Sequence, residues 1–279
     1  MNQILTMSSK SNAKKELSGR VAFITGGTRG IGLSIALAMA SEGASIAICG
    51  RSKEHLEEAL KRLKKTKVKC KGYIVDSSDP KQVIKTLENI KKDFKKLDIL
   101  VNNIGRLDHF SDFLGLSDQH WQQVFDVNIM SMVRFTRASF PLLKISKHGR
   151  IINIASVSGK RPGNFVPHYG AMKAGMIYLS KYLSNQWGKY GILVNTIAPH
   201  AVRGGAWEHD SSDRAKKDGI TIAEAKKIME KEISSKTVIN KMAELDDISN
   251  LAVYLAGDKA KFITGQCLMV DGGAVNSIY

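Results

Sequence analysis

Tyr169 and Lys173 stand four residues apart in the segment PHYGAMKAG (167–175), and Ser156 precedes the tyrosine in NIASVSG. At 3.6 residues per turn, a spacing of four puts a phenol and an ammonium on one helical face. A phenol ordinarily ionises near pH 10, too high for acid–base work at neutral pH unless a nearby cation favours the phenolate. Lys173 is placed to supply that charge. A serine hydroxyl at the end of a strand could donate to an oxygen on which negative charge develops. Together these three groups could supply a proton donor, the charge that tunes it and an oxyanion donor. Taken alone the pair also fits an exposed helix whose lysine faces water, so the elements that position it must decide.

Those elements alternate. RVAFITGG (20–27) is an apolar run ended by glycines, and IGLSIALAMASEG (31–43) then switches to helical spacing and stops at Gly43. The pattern recurs in ASIAICG (44–50) before a helix over 53–65, VKCKGYIVD (68–76) before 80–96, and LDILVNN (97–103). Helical spacing covers 118–140, RIINIAS (150–156) reads as a strand, 167–189 as a long helix, ILVNTIAP (192–199) as a strand, 246–256 as a helix and CLMVDGG (267–273) as the last strand. Near-continuous apolar strands between helices require a parallel sheet buried on both faces. With no linker or internal repeat, the expectation is one α/β domain over 18–279, a doubly wound, seven-stranded parallel sheet of Rossmann type. Residues 200–240 are irregular, carry mixed charge and are longer than a connection needs. At the carboxyl ends of strands they would form a lid over a ligand.

TGGTRGIG (25–32) follows the first strand and opens a helix, so Gly26, Gly30 and Gly32 permit a tight turn whose amides can approach a pyrophosphate. An acidic residue at the end of the second strand would grip the ribose of NAD. This chain has Cys49-Gly50-Arg51-Ser52 there instead, with Arg29 in the glycine turn. Two guanidinium groups converging on one phosphate favour NADP(H).

Composition narrows the alternatives. The net charge of +16 invites an anionic partner, yet the lysines of 61–71 and 91–96 lack interleaved aromatics that would stack on bases, so a solvated lysine surface is expected and nucleic acid is not. Cys49, Cys70 and Cys267 are dispersed and have no C-x-x-C spacing, which argues against disulfides and zinc and for a reducing, cytoplasmic setting. His168, His200 and His209 fit no metal spacing and are expected at a surface or pocket rim. No apolar stretch is long enough to span a membrane, and residues 1–17 read as a flexible tail.

From about Arg20 to Gly273 the chain resembles the short-chain dehydrogenase/reductase family. TGGTRGIG is similar to its TGxxxGxG turn, NNIG (102–105) to its NNAG motif, and Tyr169 with Lys173 to its YxxxK pair. Ser156 matches the family's catalytic serine, and Asn128 in FDVNIM its catalytic asparagine, which holds a water linking Lys173 to solvent. The resemblance implies an oxidoreductase with the catalytic set Asn128, Ser156, Tyr169 and Lys173. It implies cofactor contacts from Gly26, Thr28, Arg29, Gly30, Ile31, Gly32, Arg51, Ser52, Asp76, Ser77, Asn103, Gly105, Tyr169, Lys173, Pro199 and Val202, with Asp76 on the adenine amino group. It also implies a homodimer or homotetramer assembled through the helices at 118–140 and 167–189. One departure stands out. Pro-His replaces the family's Pro-Gly at 199–200 and Gly204 stands where a threonine is usual, so His200 and Arg203 are candidates to face the ligand. The expected substrate is a small carbonyl or alcohol, either a 3-oxoacyl thioester or a sugar, polyol or other small alcohol. The rival reading is a non-enzymatic dinucleotide sensor or nucleic-acid binder on the same fold.

Overall fold

A computed structural model describes residues 15–163 and 165–276. Its strands are β1 (Val21–Ile24), β2 (Ser45–Gly50), β3 (Cys70–Ile74), β4 (Ile99–Asn102), β5 (Arg150–Ile154), β6 (Leu193–Pro199) and β7 (Cys267–Val270). They form one all-parallel sheet in the order β3-β2-β1-β4-β5-β6-β7. The helices are α1 (Gly30–Ser41), α2 (Lys53–Lys64), α3 (Pro80–Phe94), α4 (Asp118–Phe125), α5 (Ser131–Lys144), α6 (Pro167–Trp187), α7 (Ala206–Asp218), α8 (Ile222–Ser234) and α9 (Leu245–Ala256).

The doubly wound architecture follows from side-chain alternation in central strands whose two faces are both largely apolar and buried. On β1, Ala22 and Ile24 face a core shared with α1 and α9, including Ile35, Met39, Ile248 and Leu255. Val21 and Phe23 face the opposite core with Val83 and Ile90 of α3 and Phe135 of α5. There Phe23 and Phe135 meet edge to face, ring centroids 5.6 Å apart. Local signals set the helix starts. Asp79 caps α3 by accepting from the Lys81 and Gln82 amides, with Pro80 as the first helical residue, and Pro167 plays that part in α6.

Four sequence expectations are corrected. Leu17, assigned to the tail, is fully buried, and its amide donates to the Glu42 carbonyl at 3.0 Å; residues 1–14 lie outside the described residues. The helix expected over 118–140 is broken by a π-helical turn at Asp126–Met130, one residue wider than an α-turn, before α5 runs on to Lys144. The irregular segment 200–240 contains the paired helices α7 and α8. A capping box of Thr221 and Glu224 starts α8, and Lys226 pairs with Glu208 at 2.5 Å. The last strand stops at Val270, and the glycines after it take positive φ, 59° at Gly272 and 79° at Gly273.

Candidate active site

Strand order reverses between β1 and β4, and open parallel sheets bind ligands in the crevice outside the carboxyl ends at that point. The glycine turn fills one wall. Gly26 and Gly30 have φ of 62° and 54°, and a Cβ on Gly32 would lie 2.4 Å from the Gly26 carbonyl oxygen. Asn103 ties the turn to β4, its Nδ2 donating to the Thr25 and Gly26 carbonyls at 3.1 Å each. At the head of α1, Arg29 occupies the cap position without a side-chain cap bond, which leaves backbone donors available to an anion. Tight turn, free amides and helix N-terminus together fit the pyrophosphate of a dinucleotide.

Next to this turn, Gly50 admits Thr28; a Cβ on Gly50 would fall 2.7 Å from its methyl carbon. Arg29 and Arg51 are exposed, and among the described residues neither forms an ion pair within 4.0 Å. Asp76 accepts from the Ser78 amide and hydroxyl at 2.9 and 2.8 Å, which, with the Arg51 charge, holds its carboxyl below the usual range. The Ser77 carbonyl accepts from Arg134 at 3.1 Å, an anchor from α5 that the sequence reading missed. Ser52 serves as a helix cap, accepting from the His55 amide at 3.3 Å. Ile31, in the first turn of α1, packs against the core, Pro199 ends β6, and Val202 bridges to Ala243.

On the other side of the crevice, Ser156 lies two residues beyond β5 and caps the 3₁₀ turn Val157–Gly159. This turn rests on α6 only because residue 159 is glycine: a Cβ there would stand 2.7 Å from the Lys173 carbonyl carbon and 2.8 Å from the Ala174 nitrogen. Gly159→Ala is therefore expected to push Ser156 away from Tyr169 and cut kcat by about tenfold or more with the fold retained, measured by steady-state kinetics beside a thermal melt. Beneath the turn a buried polar chain links β4, β5, α5 and α6. Asn102 donates to Thr136 (2.9 Å) and Asn153 (2.8 Å), and Asn153 donates to Ser180 (2.8 Å).

Tyr169 and Lys173 share one face of α6, as their spacing requires. The lysine Nζ stands 5.3 Å from the centroid of the tyrosine ring and donates to the Ile154 carbonyl at 3.1 Å. The electrostatics differ from the sequence expectation. Burial pushes the Tyr169 phenol up to about 12; the Ser156 hydroxyl acts in the opposite direction, and the Asp210 carboxylate on α7 adds to the rise. Burial brings the Lys173 ammonium down to about 7. Desolvation is the largest cause of the shift at both groups.

Asn128 sits within the π turn, which rotates it toward Gly105. Its Nδ2 donates to the Val124 and Arg106 carbonyls at 2.9 Å each, while its buried Oδ1 has no partner. A Cβ on Gly105 would lie 3.0 Å from that Oδ1 and 2.9 Å from Lys173 Nζ, so the three residues meet at one point. The structure thus brings Ser156, Tyr169, Lys173 and Asn128 to one end of the sheet.

Two of the histidine and arginine expectations change. His168 is fully buried rather than at a rim: its Nε2 meets the Asp108 carbonyl at 2.9 Å and Trp121 packs against its ring edge to face. Arg203 turns from the ligand into the lid, paired with Glu230 at 2.7 and 3.0 Å and with Glu244 at 2.8 Å. His200 is half-buried near Asp271, Arg161 and Lys236, and burial lowers its pKa. Among the described residues no cluster of three or more His, Cys, Asp or Glu is placed to hold a metal, and no helix is long and apolar enough to cross a membrane.

The family profile described as Enoyl-(Acyl carrier protein) reductase matches residues 26–275. The chain is 31% identical to the 3-oxoacyl-(acyl-carrier-protein) reductase of Escherichia coli over 91% of its length and 97% of that protein. It is 33% identical to the galactitol 2-dehydrogenase of Agrobacterium fabrum, covering 92% and 98%. The L-sorbose reductase of Gluconobacter frateurii, solved with NADPH and L-sorbose, superposes with a TM-score of 0.89 at 30% identity, over 95% of this chain and all of that one. The chain belongs to the short-chain dehydrogenase/reductase family of oxidoreductases.

Proposed function

We propose that the protein is an NADP(H)-dependent oxidoreductase that interconverts a ketone and a secondary alcohol. The observation that carries this reading is the meeting of Ser156, Tyr169, Lys173 and Asn128 beside the glycine turn at the sheet's switch point. Gly26, Gly30, Gly32 and the α1 amides would hold the pyrophosphate, Asp76 the adenine, and Arg29 and Arg51 the 2′-phosphate. When bound, the nicotinamide donates or accepts the hydride.

In the reducing direction Tyr169 delivers its proton to the carbonyl oxygen, and Ser156 donates a hydrogen bond to the same oxygen as charge develops there. In oxidation Tyr169 takes the proton back. Lys173, with its pKa brought down to about 7, can both release and take up a proton at neutral pH. The unpartnered Asn128 Oδ1 beside it supports a water at that point, which would pass the proton onward. The substrate is a small carbonyl or alcohol, from the 3-oxoacyl thioesters or from the sugars, polyols and other small alcohols that the relatives' names represent. Tyr178 and Tyr182, exposed on the outer face of α6, suit a homo-oligomer assembled through α4, α5 and α6.

Turnover of ketohexoses, polyols and an acetoacetyl thioester, followed by nicotinamide absorbance with both dinucleotides, tests the reaction. Expected is activity with at least one class and a kcat/KM higher with NADPH than with NADH. In the Arg29→Ala/Arg51→Ala double variant, KM for NADPH should rise about 10- to 100-fold while that for NADH changes less than about threefold. A wild-type preference for NADH would overturn the assignment of the two arginines.

A further inference from the structure

We infer that His168 is a positioning residue: its imidazole clamps the loop between β4 and α4 against the first turn of α6, and so fixes Tyr169 relative to Asn128. This inference rests on the reading of the site as a carbonyl reductase or alcohol dehydrogenase and adds a residue to it.

The His168 imidazole is fully buried, yet it makes a single hydrogen bond, between Nε2 and the Asp108 carbonyl at 2.9 Å. A carbonyl oxygen only accepts, so Nε2 carries the hydrogen, and the buried Nδ1 is left without a partner. An enclosed nitrogen with no partner costs stability, and an apolar ring would fill the place without that cost. Packing alone therefore does not account for an imidazole here. The bond to Asp108 does. Trp121 of α4 meets the ring edge to face, centroids 6.0 Å apart, and so restrains the direction in which Nε2 points.

The loop has little else to hold it. Among the described residues Arg106–Phe110 make no backbone–backbone hydrogen bond, and the next amide, that of Ser111, donates to the Phe165 carbonyl at 3.1 Å. His109, directly after the clamped carbonyl, takes φ of 60°, a left-handed backbone that persists only where the surroundings hold it. Its ring stacks on His120 of α4, centroids 3.9 Å apart. Before that bend the chain is gripped by the site itself. Gly105 lies where a Cβ would come 2.9 Å from Lys173 Nζ and 3.0 Å from Asn128 Oδ1. The Arg106 carbonyl accepts from Asn128 Nδ2 at 2.9 Å, and the Asp108 carbonyl from His168. Asn128 on the π turn and His168 on α6 thus hold one three-residue stretch from two elements. That stretch is the tie between the asparagine and the residue preceding the tyrosine. Without the His168 donor the tie is cut, and a misplacement of about 1 Å at a reacting group is worth about 10²-fold in rate.

The test uses the full chain and three variants. His168→Phe and His168→Leu remove the donor in two shapes, whereas His168→Gln keeps an amide nitrogen within reach of the place of Nε2. Turnover is measured with a ketohexose, a pentitol and an acetoacetyl thioester, NADPH binding by fluorescence titration, and folding by a thermal melt. Tryptic cleavage after the exposed Arg106, read by mass spectrometry against the other cuts, reports the freedom of the loop independently of turnover. In the two donorless variants kcat is expected to fall and cleavage after Arg106 to rise, each about tenfold or more, while the Kd of NADPH changes less than about threefold. Glutamine should bring both quantities back to within about threefold of wild type. Smaller effects in both donorless variants would overturn the inference. So would equal losses in all three variants, which would mark a packing role, or cleavage after Arg106 that does not change. A wild type that turns over none of the substrates, with cleavage raised by phenylalanine and restored by glutamine, would instead strike the proposed reaction and leave the clamp standing.

Discussion

Replacing Tyr169 by phenylalanine is expected to lower kcat by about 10³-fold or more while the dissociation constant of the dinucleotide changes less than about fivefold. The variant removes one oxygen from a half-buried side chain, so the site keeps its shape and the proton alone is lost. Ser156 stays on its 3₁₀ turn, held by Gly159 against the α6 backbone, and still donates to the substrate oxygen. What disappears is the group that gives that oxygen its proton. Neither Ser156 nor water can replace it: the serine hydroxyl is a far weaker acid, and a water at this place would not be oriented by α6. Single-turnover kinetics against fluorescence titration of the dinucleotide separates the two quantities. Activity within tenfold of wild type would remove Tyr169 from the acid–base role.

Lys173→Met should give an inactive protein that is more stable than the parent at mildly acidic pH. The Lys173 ammonium is held at about 7 against an ordinary 10.5 because it is buried. Between these values the unfolded chain carries a proton on this side chain that the folded protein does not, so stability rises with pH across that window. Below about pH 7 both states are protonated and the whole burial penalty is present; above about 10.5 both are neutral and none remains. Methionine fills much the same volume without charge. Against that gain stands the lost bond to the Ile154 carbonyl, roughly 1 kcal/mol. The burial penalty is larger, so a net gain of about 1–2 kcal/mol is expected at pH 6.5, a rise in Tm of about 2–8 °C. By pH 9.5 most of that gain should be gone. Thermal melts of nucleotide-free wild type and variant at the two pH values measure it. A variant less stable at pH 6.5, by the same margin as at pH 9.5, would show that the lysine is held for packing.

The two variants probe the same four-residue spacing from opposite sides. Loss of the phenol removes the reaction and spares the fold; loss of the ammonium removes the reaction and relieves the fold. A site that stores unfavourable burial in a group it needs is a common trade between stability and activity.

Much of this was legible in the residues themselves. Apolar strands alternating with amphipathic helices imply a parallel sheet, because only a sheet covered on both faces can bury runs such as VAFI and ILVN. The glycine turn, the lack of an acid after Cys49, and the Tyr169–Lys173 spacing are local chemistry, set within a few residues of chain. Other features depended on distant contacts. That His168 is buried under Trp121 and bound to Asp108, and that Arg203 is spent on Glu230 and Glu244, could not be read from positions up to 60 residues apart. The π turn at Asn128 breaks a helix whose residues show no interruption. Burial reversed the expected electrostatics: proximity in sequence predicts attraction between an ammonium and a phenol, but only enclosure by the whole domain sets the cost of desolvating each. Spacing along one helix or turn is fixed by the chain's own geometry, whereas the partner, the dielectric and the exposure of a group are set by whatever the fold brings beside it.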